Sequence, residues 1–166
     1  ETYEKFYKEL TQRDTSEATY EDIDYRRICN NYYENYEPTA VIIAGSVSDK
    51  EHVNKLEKEL QAQNITTKIH YASAHKSTMA VMKIIEDYDS KLKKIVWITV
   101  AGRSNALSGV VAANSRNPVI GCPPFKDKMD MMVNIHSTLQ CPSKVPVLTV
   151  LEPNNVAISI KRIFSL

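Results

Sequence analysis

Glycine is scarce in this chain, with four in 166 residues. No G-x-G-x-x-G and no G-x-x-x-x-G-K-[ST] occurs, so neither a dinucleotide site nor a triphosphatase P-loop is supported. A nucleophile elbow is missing too. Cysteine is sparse: Cys29, Cys122 and Cys141 lie far apart, in no disulfide or metal spacing, which points to a reduced, cytoplasmic setting. The four histidines show no metal-binding spacing either. No apolar run is long enough to cross a bilayer, and the first residues do not form a signal peptide. Charge of one sign is absent. Lys plus Arg number 21 and Asp plus Glu 20, so the net charge of +1 argues for neither nucleic acid nor membrane as partner. Internal repeats and low-complexity tracts are also absent.

The length suffices for one ordinary domain with a real core. Residues 1–39 differ from the rest, being rich in Tyr and charged residues and devoid of glycine. Tyr3, Phe6, Tyr7 and Leu10 recur at helical spacing, Thr19 to Glu34 suits a second helix, and Pro38 closes the region. It reads as a linker or helical tail from a preceding domain, either packed through its tyrosines or solvated. The chain opens on Glu1, not methionine, which suits a piece of a longer polypeptide.

From residue 40 onward strands and helices alternate. The expected strands are Ala40–Ala44, Thr66–Ala72, Lys94–Val100, Pro118–Cys122 and Val145–Leu151. Between and after them, helices are expected over Lys50–Gln63 with Val53, Leu56 and Leu60 inward, from a Ser77 cap with Met79, Met82 and Ile85 or their neighbours inward, over Ser104–Asn114, over Lys126–Thr138 with a methionine-rich face, and over Asn155–Ser165. Trp97 is read as core. Met129, Met131 and Met132 are read as packing or a subunit contact. His52 is expected on an exposed helix face, His70 in a strand and His136 near a helix end. This alternation predicts an α/β protein with three α/β/α layers: a parallel, flavodoxin-like sheet in the order 2-1-3-4-5. Ligands of such sheets bind beyond the carboxyl ends of the strands, near the switch between strands one and three. The loops after the first three strands are therefore the informative ones.

The first loop is Gly45-Ser46-Val47-Ser48-Asp49. An apolar strand that turns into a helix start aims backbone N–H groups and a helix dipole at one spot, and Ser46 and Ser48 add hydroxyl donors. That suits a phosphate, whereas Asp49 suits sugar hydroxyls; a phosphosugar satisfies both. The alternative is that these residues only cap the helix. After strand two comes Ser73-Ala74-His75-Lys76-Ser77. His75 can take and give a proton near neutrality, and Lys76 offers a cation for a phosphate. After strand three comes Ala101-Gly102-Arg103-Ser104-Asn105. Gly102 permits close approach, Arg103 can pair with a carboxylate or phosphate, and Ser104 and Asn105 either cap the next helix or polarise a small carboxylate.

Together with Pro118-Val119-Ile120-Gly121-Cys122-Pro123-Pro124, these three loops resemble the phosphoribosylaminoimidazole (AIR) carboxylase family of purine biosynthesis, over residues 40–166. Gly102-Arg103-Ser104-Asn105 and Ala74-His75-Lys76 resemble the branch that takes carbon dioxide directly, the type fused in animals behind a SAICAR synthetase domain. Leu107-Ser108-Gly109 departs from it toward the Leu-Pro-Gly of the bacterial N5-CAIR mutases. The resemblance implies that Gly45, Ser46, Ser48 and Lys76 hold the 5′-phosphate of aminoimidazole ribonucleotide (AIR) and Asp49 its ribose. It further implies that Ser73 and Ala74 shape the base pocket, that Gly102, Arg103, Ser104 and Asn105 position carbon dioxide or the new carboxylate, and that His75 moves the proton at C4. It implies no metal and no cofactor, neither ATP nor biotin, and a homo-octamer whose neighbouring subunits complete each site. The alternatives at this point are an N5-CAIR mutase, a non-catalytic ribonucleotide-binding or assembly domain, and a flavodoxin-like FMN protein.

Overall fold

A computed structural model describes residues 37–90 and 94–165. The tail expected before residue 40 lies, up to residue 36, outside the described residues. The described elements are β1 (Thr39–Ala44), a 3-10 turn (Val47–Asp49), α1 (Lys50–Ala62), β2 (Thr66–Tyr71), α2 (Thr78–Asp89), β3 (Ile95–Val100), α3 (Ala106–Asn114), β4 (Val119–Gly121), α4 (Lys128–Leu139), β5 (Leu148–Thr149) and α5 (Pro153–Phe164). Among the described residues the strands form one five-stranded sheet in the order β2-β1-β3-β4-β5, and every pair is parallel. The expected fold and strand order hold.

Continuous apolar runs in β1 and β3 reflect burial on both faces. Side chains alternate across a strand. Ala40, Ile42, Ala44, Val96, Ile98 and Val100 share one core with Val53, Leu56 and Leu60 of α1 and Val156, Ala157 and Ile160 of α5. Val41, Ile43, Ile95 and Trp97 share the other with Val81 and Ile85 of α2 and Leu107 and Val111 of α3. Trp97 is fully buried, and its indole N–H donates to Ser115 Oγ at 2.8 Å. Its burial therefore leaves no orphan donor. No described helix is long and apolar enough to cross a membrane.

Several expected details change. Met79 is 80 % exposed. Val81 and Ile85, four residues apart, set the buried stripe of α2, and Met79 lies two residues from Val81, on the far side of the helix. Ser77 does not cap α2 with its side chain. Its hydroxyl turns back to Ser73, accepting from that residue's N–H at 2.9 Å and donating to its carbonyl at 3.2 Å. β5 is confined to Leu148–Thr149, because Pro146 has no N–H for a ladder and Lys144 takes a left-handed φ of 66°. In α4 the buried residues are Asn134 and Thr138, while Met129 and Met132 are exposed, so its inward face is polar.

Register places the loops. Ala44 pairs with Tyr71 on one side and Val100 on the other, so β1, β2 and β3 end level. Gly45 N–H donates to Val100 O and Ala72 N–H to Ala44 O, both at 2.9 Å, which carries the ladder one residue into each turn.

Candidate functional site

The turn after β1 caps itself. Ser46 Oγ accepts from the Ser48 N–H at 3.2 Å and from the Ser48 hydroxyl at 2.8 Å. Both serines remain exposed, and Asp49 is half-buried. The capping reading of this turn describes what these hydroxyls do within the chain; an oxyanion would take over the same donors. Burial raises the pKa of Asp49 above the ordinary carboxyl value. Among the described residues no donor offsets that desolvation, so a ligand hydroxyl placed against Asp49 gains more than it would at a solvated carboxylate.

A compact turn follows β2. Ser73 Oγ accepts from the Lys76 N–H at 3.2 Å, Ser77 bonds Ser73 twice, and Thr78 Oγ1 donates to Ala74 O at 2.6 Å. This bonding commits the serine hydroxyls to the turn and leaves the side chains of His75 and Lys76 exposed.

The loop after β3 is docked on α4. Ser137 Oγ contacts Gly102 O at 3.3 Å and accepts from the Asn105 N–H at 3.2 Å. Asn105 is buried and fully employed. Its Oδ1 accepts from the Ser108 N–H at 3.1 Å, capping α3, and its Nδ2 donates to Ser108 Oγ at 2.8 Å and Thr138 Oγ1 at 2.9 Å. Thr99 Oγ1 continues the chain to Ser108 Oγ at 2.7 Å. Gly102, Arg103 and Ser104 are left at the rim, with Ser104 in a left-handed φ of 55°. A Cβ at position 102 would approach Asn134 Nδ2 to 3.4 Å, so glycine lets the loop lie against α4.

Two of the three loops share a cavity of about 720 Å³. Ser48 and Asp49 line it from the first turn, and Gly102 and Arg103 from the third. Glu51, His52 and Lys55 of α1 contribute, and the remaining wall comes from residues 124–127 and from Met129, Asp130, Val133 and Asn134 of α4. Within this chain Gly45, Ser46, Ser73, Ala74, His75, Lys76, Ser104 and Asn105 do not line the cavity.

His52 is therefore not the exposed helix residue expected. Four residues before the buried Leu56, it borders the buried stripe of α1, and its Nε2 meets Cys122 Sγ at 3.3 Å. Desolvation lowers its pKa, which favours a neutral imidazole. Burial pushes the Cys122 thiol up to about 12, with the Glu152 charge adding to it, so this cysteine stays a thiol and not a nucleophile. Among the described residues no group of three or more His, Cys, Asp or Glu side chains is placed to hold a metal ion.

Sequence reasoning missed His52, residues 125–127 and Asn134. One signal was available: Asn134, Ser137 and Thr138 stand three and four apart, a polar stripe where a core-facing helix would carry apolar residues.

Residues 39–166 match the family model described as AIR carboxylase. The chain is 43% identical, over 127 residues, to a phosphoribosylaminoimidazole carboxylase of Archaeoglobus fulgidus, covering 76% of this chain and 69% of that protein. It is 35% identical over 126 residues to the bifunctional phosphoribosylaminoimidazole carboxylase/phosphoribosylaminoimidazole succinocarboxamide synthetase of Drosophila melanogaster, covering 76% of this chain but 29% of that longer protein. The crystal structure of Treponema denticola PurE superposes with a TM-score of 0.73 at 38% identity, covering 78% of this chain and 81% of that one.

Proposed function

The chain belongs to the AIR carboxylase family, enzymes of purine biosynthesis, and from that premise we propose that it carboxylates AIR at C4 with carbon dioxide, giving 4-carboxy-AIR (CAIR). The observation that carries the reading is the shared cavity: the turn suited to a phosphosugar, Ser48-Asp49, and the loop suited to a carboxylate, Gly102-Arg103, open on one space.

In this reading Gly45, Ser46, Ser48 and Lys76 hold the 5′-phosphate and Asp49 the ribose hydroxyls. Ser73 and Ala74 shape the base pocket. Gly102, Arg103 and Ser104 position carbon dioxide and the new carboxylate, and Asn105, its amide already paired inside the protein, keeps that loop in place. C4 of the aminoimidazole is enamine-like. Its electron pair forms the new C–C bond as one C=O π pair of carbon dioxide moves onto oxygen, where Arg103 stabilises it. C4 is then tetrahedral and loses its proton to His75, and the C–H pair restores the aromatic ring. The nucleophile is already electron-rich, so the protein's work is positioning and charge stabilisation, without ATP or biotin. His75 stands on the same sheet end but off the cavity wall of this chain. The reading therefore includes a homo-oligomer, an octamer as the family resemblance implies, in which a neighbouring subunit completes the pocket. Exposed Met129, Met132, Val133 and Leu139 on α4 support such contacts. Placement in the direct-carboxylase branch rests on Arg103-Ser104-Asn105 and His75-Lys76. Fusion to a SAICAR synthetase domain and a cytoplasmic setting belong to the same proposal.

The test follows absorbance with AIR and bicarbonate in one cuvette and the N5-carboxylated compound in another, both without ATP. Product in the first alone is the expected result. Product in the second alone moves the chain to the mutases and removes the roles given to Arg103 and Ser104. No product in either, from a folded oligomer that binds AIR, leaves a binding or assembly domain.

A further inference from the structure

Residues 125–127 and α4 belong to none of the sequence motifs, yet the wall they form with Pro124 carries unmet chemistry. Seven charged side chains line the cavity. Three of its carboxylates are engaged locally: Glu51 pairs with Lys55 at 2.9 Å, Asp127 Oδ1 accepts the Asp130 N–H at 2.9 Å, and Asp130 Oδ2 accepts the Lys126 N–H at 3.1 Å. Among the described residues, the cations Arg103 and Lys126 have no carboxylate within ion-pair distance. Arg103 comes from the loop after β3 and Lys126 from the segment after β4, so two adjacent strand ends each send one free cation to the same space.

An independent feature of this wall points to a ligand. Asn134 is 3 % exposed; its Nδ2 donates to Pro124 O at 2.8 Å, but its Oδ1 is buried without any partner. A buried acceptor left unpaired costs about 1–3 kcal/mol. The amide cannot usefully turn over, because Oδ1 would then face the Pro124 carbonyl. What the wall lacks is an N–H donor beside an anion.

We propose that Lys126 and Arg103 clamp the carboxylate on C4 of the ribonucleotide, and that Asn134 Oδ1 accepts from the amine on the neighbouring ring carbon. The inference deepens the carboxylation reading and rests on it. An amine and a carboxylate on adjacent ring carbons match, group for group, the acceptor and the two cations of the wall. Arg103 supplies a planar fork for the two carboxylate oxygens and Lys126 a mobile point charge. The clamp distinguishes the carboxylated from the uncarboxylated ribonucleotide, whereas the turn after β1 binds what the two share. Gly102 lies beside Asn134, where a side chain would crowd the amide: a Cβ there would stand 3.7 Å from Oδ1.

Calorimetric titration of the oligomer with CAIR and with AIR tests the proposal. Lys126→Met is expected to weaken CAIR about tenfold, the equivalent of about 1.4 kcal/mol, and AIR less than about twofold. Lys126→Arg restores CAIR affinity. Removal of the ring amine from CAIR weakens binding to the parent, and Asn134→Ala removes that difference. Equal weakening of both ligands in Lys126→Met assigns the lysine to the phosphate and overturns the clamp, as does no weakening of either. Unchanged affinity of the parent for the amine-free compound overturns the role of Asn134. A parent that binds neither AIR nor CAIR ends the carboxylation reading itself, a result distinct from those failures.

Discussion

Gly121 of β4 and Thr138 of α4 meet so closely that no methyl fits between them: a Cβ on Gly121 would stand 2.8 Å from Thr138 Cγ2. Ser108 Oγ and Val147 Cγ1 close the other sides at 3.3 and 3.4 Å. The contact seats α4 on the sheet and so presents Ser137 and Thr138 to the loop after β3. Gly121→Ala is expected to destabilise the fold by about 1–3 kcal/mol, the usual cost of overpacking, seen as a lower urea midpoint. Thr138→Ser removes Cγ2 and keeps the hydroxyl, so it recovers part of that loss in the double variant. A Gly121→Ala protein as stable as the parent would show that α4 shifts freely on the sheet.

Most of the fold was legible because β1 and β3 are buried on both faces, and an unbroken apolar run followed by a polar turn is a strong local signal. Val53, Leu56 and Leu60 were equally plain, since their spacing fits one face of α1. The pattern failed where burial is polar. Asn134 and Thr138 face inward because they hold the loop after β3, and hydrophobic periodicity cannot report a hydrogen-bonded face. β4 and β5 are shorter than their apolar residues suggested, and Pro146, which has no N–H, delays the start of β5. Of the site, Ser48, Asp49, Gly102 and Arg103 came together through sheet topology, which the alternation of elements predicts. Lys126 and His52 reach the cavity through tertiary packing, for which a single sequence has no local mark.

The burial of His52 makes stability depend on acid. The folded pKa of His52 is lowered, chiefly by desolvation, so the unfolded chain takes up the proton more readily. Stability is then full above the ordinary value of 6.5 and declines as pH falls through it toward the lowered folded value. His70, also lowered by burial, acts in the same direction. Asp49, whose folded pKa is raised above 3.8, acts oppositely at more acidic pH. Denaturant midpoints measured across the histidine range should fall with pH in the parent, and His52→Gln should flatten that fall while leaving the share due to His70. An unchanged slope in His52→Gln would mean that the imidazole titrates as in the unfolded chain.

Asn105 joins the site to the core. Its amide caps α3, bonds Ser108 and reaches Thr138, while Ser108 holds Thr99 of β3. Asn105→Ala removes the cap and strips buried hydroxyls of a donor, so a loss of about 1–3 kcal/mol is expected. Because the same bonds fix the loop that carries Arg103, kcat/KM should fall while affinity for a ribonucleotide without the carboxylate stays near that of the parent. Equal loss of stability with intact kcat/KM would separate the cap from the chemistry.

His75 offers the sharpest test of the proposed reaction. It is exposed on the turn after β2, held there by bonds that Ser73, Ser77 and Thr78 make with the backbone and not by its own side chain. Asparagine at this position keeps a polar side chain and loses the proton acceptor. His75→Asn should therefore leave the turn and AIR binding intact and lower turnover by roughly 10²–10⁴-fold, the usual worth of a positioned base. If proton removal becomes the slow step, deuterium at C4 of AIR will slow the variant more than it slows the parent. Weakened binding with no change in the isotope effect would instead make His75 a ligand for the substrate. The base would then have to be sought elsewhere, beginning with His52, whose imidazole burial keeps neutral beside the cavity.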